Sequence, residues 1–199
     1  MMDLLRVYGD CWGGEAGAWN TSLQNKYLEY MFARFLEENF PVEETDAILN
    51  IGIGAGYWDR YLSYKVPKGS LSSIDIDAAC AENLKACLEN ERNPNQVTVL
   101  CGDAITYEFD RKYDLVTIVG SSAAESGEVE RIISKAFSLL NENGAFYLQM
   151  LHRGTAFDID HWALGQGARI EKRLTDDTYD IRCAYYKIVK EGQENDGKA

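Results

Sequence analysis

From residue 47 onward, short β-prone runs and helical patterns take turns, and few architectures accommodate that rhythm. AILNIGI (47–53), SLSSIDID (70–77), QVTVLCGD (96–103), YDLVTIVG (113–120) and AFYLQML (145–151) read as buried strands. Helical patterns begin at YWDRYLSY, AACAENLKACLENE and GEVERIISKAFSLL; the last puts Val129, Ile132, Ile133, Ala136, Phe137 and Leu140 on one stripe. The stretch from Thr106 to Asp110 fits neither pattern clearly. Apolar strands separated by amphipathic helices predict an α/β fold with a doubly wound, mostly parallel sheet covered on both faces. The ending departs from the alternation. After a short helix around FDIDHWALG come ARIEKRLT and TYDIRCAYYKIV, two strand-like runs parted by Asp176 and Asp177, which predict a C-terminal antiparallel hairpin. Five strands plus the hairpin make a seven-stranded sheet.

Ahead of this core, TSLQNKYLEYMFARFLEENF has Leu23, Tyr27, Tyr30, Met31, Arg34 and Phe35 at helical spacing, with Thr21 able to cap the start and Pro41 ending it. The preceding VYGDCWGGEAGAWN mixes four glycines with Tyr8, Trp12 and Trp19, and it reads as an ordered loop or lid. The expected organisation is one domain over 1–190, with a lid and helix over 1–45 and a ligand-binding core over 46–190. The polar tail 191–199 is expected to be flexible.

Composition bounds the partners. The chain's 32 acidic and 20 basic side chains give a net charge of −12, which opposes non-specific attraction to nucleic-acid phosphates. No run approaches the roughly 18 apolar residues of a membrane span, and MMDLLRVYGD has no basic region leading into an apolar segment. Five cysteines, an odd number without a C-x-x-C pair, suggest neither a disulfide framework nor a metal site. Cys80 and Cys87, seven residues apart, fit one helical face as small core residues. A cytoplasmic protein without nucleic-acid or membrane partners is expected; oligomeric state is not readable.

Directly after the first strand come Gly52, Gly54 and Gly56. In a doubly wound sheet, ligands bind beyond the carboxyl ends of the strands, where strand order reverses, so this turn is the expected pocket. A dinucleotide site would need G-x-G-x-x-G, whose third glycine lets helix and strand pack closely. Here that position is Tyr57, and the spacing is G-x-G-x-G. Together with the downstream segments SSIDID and GDA, this spacing resembles the class I S-adenosylmethionine-dependent methyltransferases, over most of residues 45–190. The resemblance implies a Rossmann-like sheet, a C-terminal hairpin and S-adenosylmethionine as cofactor, with Gly52-Ile53-Gly54-Ala55-Gly56 beneath its methionine part. It implies that Asp75, in SSIDID, takes both ribose hydroxyls, and that Asp103, in GDA, accepts from the adenine amino group. Ile76, Ala104 and Gly120 join Asn50 in the implied binding set. Independently, a ribose diol without phosphate calls for an acceptor carboxylate and bare backbone rather than an anion cradle.

One departure stands out. The family usually carries an acidic residue two positions before the first glycine, where this chain has Asn50. Asparagine can hydrogen-bond but brings no negative charge, so cofactor binding is either unaffected, weakened or compensated by a nearby carboxylate. Asp77 rivals Asp75 as the ribose ligand; its other reading is an N-cap for the helix starting AACAEN.

The acceptor is less legible. GSSAAES (120–126) lacks the N/D-P-P-Y signature of many relatives that methylate planar nitrogens, which also argues against a nucleic-acid substrate. LHRGTAFDIDHW holds both histidines, His152 and His161. His161 fits a surface or helix-capping residue. His152 and Arg153 are the catalytic candidates: Arg153 could clamp a carboxylate in bidentate fashion, and His152 would suit a hydroxyl or phenol. Tyr8, Trp12 and Trp19 either pack the first helix or close as a lid that excludes water. The expectation is methyl transfer to a small molecule or short peptide, with oxygen, carboxylate above all, as acceptor. The alternatives are aminopropyl transfer on the same fold and a non-catalytic cofactor-binding module.

Overall fold

The computed structural model describes residues 22–120, 122–151, 157–178 and 182–191. Tyr8, Trp12, Trp19, His152, Arg153 and the tail beyond residue 191 lie outside these described residues. The chain divides into two compact units, the second beginning at Asn39.

The described part of the first unit is Ser22 and the helix α1 (Leu23–Asn39) up to Glu38. Its buried stripe is Leu28, Met31, Phe32, Phe35 and Leu36, while Leu23 and Tyr30 are exposed. Of the expected stripe, Met31 and Phe35 are buried and Tyr27 is half-buried, whereas Leu23, Tyr30 and Arg34 are exposed, so the buried face is centred about one residue further on, through Leu28 and Phe32. Apart from Asn25, the side chains that bury are apolar, while Tyr30 and Arg34, with polar tips, are exposed. Thr21, the expected cap, lies outside the described residues; the Ser22 hydroxyl accepts from the Asn25 N–H (3.1 Å).

In the second unit the elements run β1 (Ala47–Ile51), α2 (Tyr57–Lys65), β2 (Ser70–Asp75), α3 (Ala78–Asn90), β3 (Val97–Cys101) and β4 (Tyr113–Ile118). They continue with α4 (Ser122–Glu125), α5 (Val129–Ser138), β5 (Leu140–Leu151), α6 (Ile159–Gln166), β6 (Ala168–Asp176) and β7 (Cys183–Lys190). The strands form one seven-stranded sheet in the order β3-β2-β1-β4-β5-β7-β6. All pairings from β3 to β5 are parallel, and β7 inserts antiparallel between β5 and the edge strand β6. The order reverses between β1 and β4, which sets the switch point beside the glycine turn.

Every residue of β1 is buried, as a central parallel strand covered on both faces requires. On one face Leu49, Ile51, Val116, Ile118, Phe146 and Leu148 meet Ile132, Ile133, Ala136 and Phe137 of α5. Trp162 of α6 joins this core edge-on to Phe137, and its indole N–H donates to the Ser134 hydroxyl (2.9 Å). A smaller cluster of Ile53, Ala81 and Leu84 seats α3, with Cys80 packed against it. Cys80 and Cys87 are both only partly buried.

Two further departures have local causes. β5 starts at Leu140 rather than at Ala145, and NENG is an irregular opening of the strand: Tyr113 pairs with Leu140, but Leu115 pairs with Ala145. A Cβ on Gly144 would lie 2.8 Å from the Tyr113 carbonyl oxygen, so the backbones approach too closely for any side chain there. The C-terminal strands are joined less tightly than Asp176-Asp177 suggested, since Asp176 pairs with Cys183. Within GSSAAES, Ser122–Glu125 forms the short helix α4. No helix among the described residues is long and apolar enough to cross a membrane.

Candidate functional site

The carboxyl ends of β1 to β4 bring the glycine turn, Asp75, Ile76, Asp103, Ala104 and Gly120 to one end of the sheet. The turn is held from below, because the Gly52 N–H donates to the Ile74 carbonyl (2.9 Å) on β2. Its glycines serve different ends. Gly52 has φ 90°, and a Cβ there would stand 1.9 Å from the Ser122 hydroxyl oxygen, so backbone and α4 touch directly. Gly54 also has positive φ (52°), but its added Cβ would meet nothing within 4 Å. The space above Gly54 is therefore the open part of the cradle.

Asp75 locks this turn to β2. Its Oδ2 accepts from the N–H groups of Ile53 (2.7 Å) and Gly54 (3.1 Å), and its Oδ1 accepts from Asp77 N–H (2.9 Å). An ionised carboxylate has about four acceptor positions, so a diol meeting this one must share positions with the backbone. Asp77 is engaged elsewhere, its Oδ1 accepting from Ala79 N–H (2.8 Å) as the N-cap of α3. Ile76, between them, is 75% exposed, an uncovered aliphatic face at the mouth of the cradle. Asp103 closes its own turn, with Oδ1 accepting from Ile105 N–H (2.9 Å) and Oδ2 from the Thr106 hydroxyl (3.3 Å). Ala104 is buried behind it. The Gly102 N–H donates to the Asp75 carbonyl (2.8 Å), which joins the second and third binding segments. Gly120 (φ 81°) donates its N–H to Oε1 of buried Gln149 (2.6 Å). This end of the sheet is acidic. Burial pushes the Cys80 thiol up to about 11, and the charges of Asp75, Asp77 and Glu125 add to it.

Asn50 is fully buried, and its amide is spent inside the protein. Its Nδ2 donates to the Gly52 carbonyl (3.0 Å) and to Asp59 Oδ1 (2.8 Å), while its Oδ1 accepts from the Thr117 hydroxyl (2.7 Å). The Trp58 indole N–H in turn donates to Thr117 Oγ1 (3.2 Å). Sequence reasoning missed Asp59, Thr117 and Trp58. An aspartate in the first turn of a helix ordinarily reads as a solvent-facing partner of the helix dipole. The only signal against that was its place beside Trp58 and three residues before Leu62, on the side α2 buries. Burial pushes the Asp59 carboxyl up to about 6, and nearby Asp75 adds to the rise, while Ser73 and Asn50 pull the other way. The Ser73 hydroxyl is near enough to favour the charged form, yet neither Ser73 Oγ nor Asp59 Oδ2 makes a hydrogen bond of normal length. His161 is exposed, and its backbone N–H is capped by Asp158 Oδ1 (3.0 Å).

A family model described as "Methyltransferase domain" matches residues 48–144, a span that holds the whole cradle. This match and the sheet order support a class I S-adenosylmethionine-dependent methyltransferase. Among curated relatives, a malonyl-[acyl-carrier protein] O-methyltransferase of Priestia megaterium is 28% identical over 130 residues, 65% of this chain and 45% of that protein. One of the same name from Bacillus anthracis is 23% identical over 153 residues, covering 77% of this chain and 54% of the relative. The chain thus spans about half the length of the curated relatives it matches. The magnesium protoporphyrin IX methyltransferase of Synechocystis PCC 6803, solved with bound SAM, shares the fold at a TM-score of 0.71 and 17% identity, over 94% of this chain and 89% of that one.

The cofactor of this methyltransferase family is S-adenosylmethionine, and the residues present fit it. An open strip of backbone at Gly54, a carboxylate at Asp75 and an apolar face at Ile76 suit a flat, phosphate-free nucleoside. The acidic surroundings suit its positive sulfonium.

Proposed function

We propose that this protein transfers a methyl group from S-adenosylmethionine to a carboxylate oxygen of a small acceptor. Support for the transfer comes foremost from the Asp75-locked glycine turn within the matched methyltransferase region. Support for oxygen comes from the names of the two curated relatives, both O-methyltransferases of a malonyl group on a carrier protein. An acyl group with a free carboxylate is accordingly the first acceptor class to test.

The sulfonium supplies an activated methyl group. Held over the Gly54 backbone and Asp75, it would present that methyl to an acceptor oxygen that needs only a lone pair to take it. An acceptor carboxylate is already ionised at neutral pH, so no base is required and positioning carries the rate. The protein's part is to hold the turn through Asp75, support Gly52 through Asn50 and exclude water. Arg153 is assigned to the acceptor carboxylate, and His152 would serve only a protonated oxygen acceptor.

The test uses methyl-labelled cofactor with a malonyl carrier thioester, free carboxylic acids, phenols, amines and short peptides. A methyl ester releases its label as methanol in mild alkali, whereas ethers and methylamines retain it. Label confined to alkali-stable products would refute carboxylate methylation. Cofactor binding without transfer to any acceptor would make the protein a binding module.

A further inference from the structure

Beneath the glycine turn, a row of polar side chains crosses the middle of the sheet where apolar ones belong. Ser73, Asn50 and Thr117 are register partners on β2, β1 and β4, and all three are fully buried. Asp59 comes down onto this row from α2 and is fully buried as well. A buried carboxylate ordinarily needs a cationic partner. Among the described ion pairs none involves Asp59, and its neighbour Arg60 pairs with Glu91 instead. One oxygen of Asp59 accepts from Asn50, and the other has no hydrogen bond. Of the groups facing Asp59, Asn50 from β1 and Ser73 from β2 are neutral, and Asp75 at the end of β2 is itself acidic. The anion therefore lies one neutral amide away from the Gly52 carbonyl, and none of these neighbours balances it.

A cationic ligand over the glycine turn would balance it. We infer that Asp59 is a positioning residue for the cationic methionine end of S-adenosylmethionine, supplying from beneath the turn, through Asn50 and the Gly52 carbonyl, the negative charge that position 50 lacks. The inference rests on the cofactor reading of the turn. It explains why an amide is tolerated at position 50: Asn50 and Asp59 divide between them the hydrogen bonding and the charge of a single carboxylate. It also identifies the destabilising burial of Asp59 as serving ligand charge rather than packing.

Calorimetric titration of S-adenosylmethionine and S-adenosylhomocysteine into the wild type and Asp59→Asn, from pH 5 to 8, tests the inference. The two ligands differ by the methyl group and its positive charge, so a change in their affinity ratio reports electrostatics rather than fit. In Asp59→Asn at pH 7.5, affinity for S-adenosylmethionine should fall about tenfold, as expected for losing one charge several ångströms away at an intermediate dielectric. Affinity for S-adenosylhomocysteine should change less than about threefold, as for a ligand without that net charge. Wild-type affinity for the sulfonium should drop as pH falls through about 6, where Asp59 is protonated, and the variant should lack this step. The double variant Asn50→Asp/Asp59→Asn, which moves the charge beside the turn, should recover the preference for the sulfonium. Equal losses for both ligands, or an unchanged pH step in Asp59→Asn, would reduce Asp59 to a structural role and overturn the inference. Should Asp59→Asn not fold, the wild-type pH step and the double variant decide the matter. A wild type that binds neither ligand would overturn the cofactor reading, and this inference with it.

Discussion

Replacing Asp59 by asparagine should make the folded protein more stable at neutral pH, and by an amount that depends on pH. Burial holds the Asp59 carboxyl at about 6, against 3.8 for an ordinary aspartate. Because the folded state holds this proton more tightly than the unfolded state, the contribution is fully present below pH 3.8. It is lost as pH rises through about 6. A difference of about two pKa units corresponds to about 3 kcal/mol, a large share of a domain's stability. Asparagine keeps an oxygen to accept from Asn50 Nδ2 (2.8 Å in the wild type) but has no proton to lose. The stability of Asp59→Asn minus that of the wild type should therefore rise by about 3 kcal/mol between about pH 4 and pH 7.5. At a urea slope of about 2 kcal/mol/M, that is a relative shift of about 1.5 M in midpoint. Urea melts of both proteins at several pH values across this window measure it, and comparing the two cancels every other titrating group. A difference that stays constant across the window would refute the reasoning, because Asp59 would then not titrate within it. A stabilised variant that also loses sulfonium affinity would show stability exchanged for function at this residue.

The glycine turn provides a contrast of two alanine variants. Gly52→Ala, with positive φ and Ser122 in the way, should cost about 2–4 kcal/mol of stability, seen in thermal melts. Gly54→Ala should cost about 1 kcal/mol for its backbone conformation alone, yet lose most cofactor affinity because its methyl projects into the open cradle. Asp75→Ala should abolish measurable cofactor binding in calorimetry, since it removes the anchor of Ile53 and Gly54 N–H together with the proposed ribose acceptor, whereas Arg153→Ala should leave cofactor binding intact and impair acceptor use. Ile76→Ala, at an exposed side chain that makes no demand on the fold, should weaken cofactor binding about fivefold to tenfold while leaving the melting temperature unchanged.

Alternation of apolar runs with amphipathic helices was enough to infer a doubly wound sheet closed by an antiparallel hairpin, because each pattern has its own periodicity and residue chemistry. The glycine spacing with Asp75 pointed to the family for a similar reason: these residues are adjacent to strand ends, and strand ends are visible in one dimension. What could not be read depends on which atoms fill the space around a residue. Whether α1 buries Tyr27 or Leu28 is a rotation of one residue that only packing settles. Asp75 and Asp77 are equivalent along the chain, and they part company only where one oxygen pair meets the turn and the other meets the start of α3. Asp59 lies nine residues beyond Asn50 in the chain and 2.8 Å from it in space. A buried charge leaves no mark in a string of letters, since burial is a property of what other segments, here β1 and β2, bring to its side.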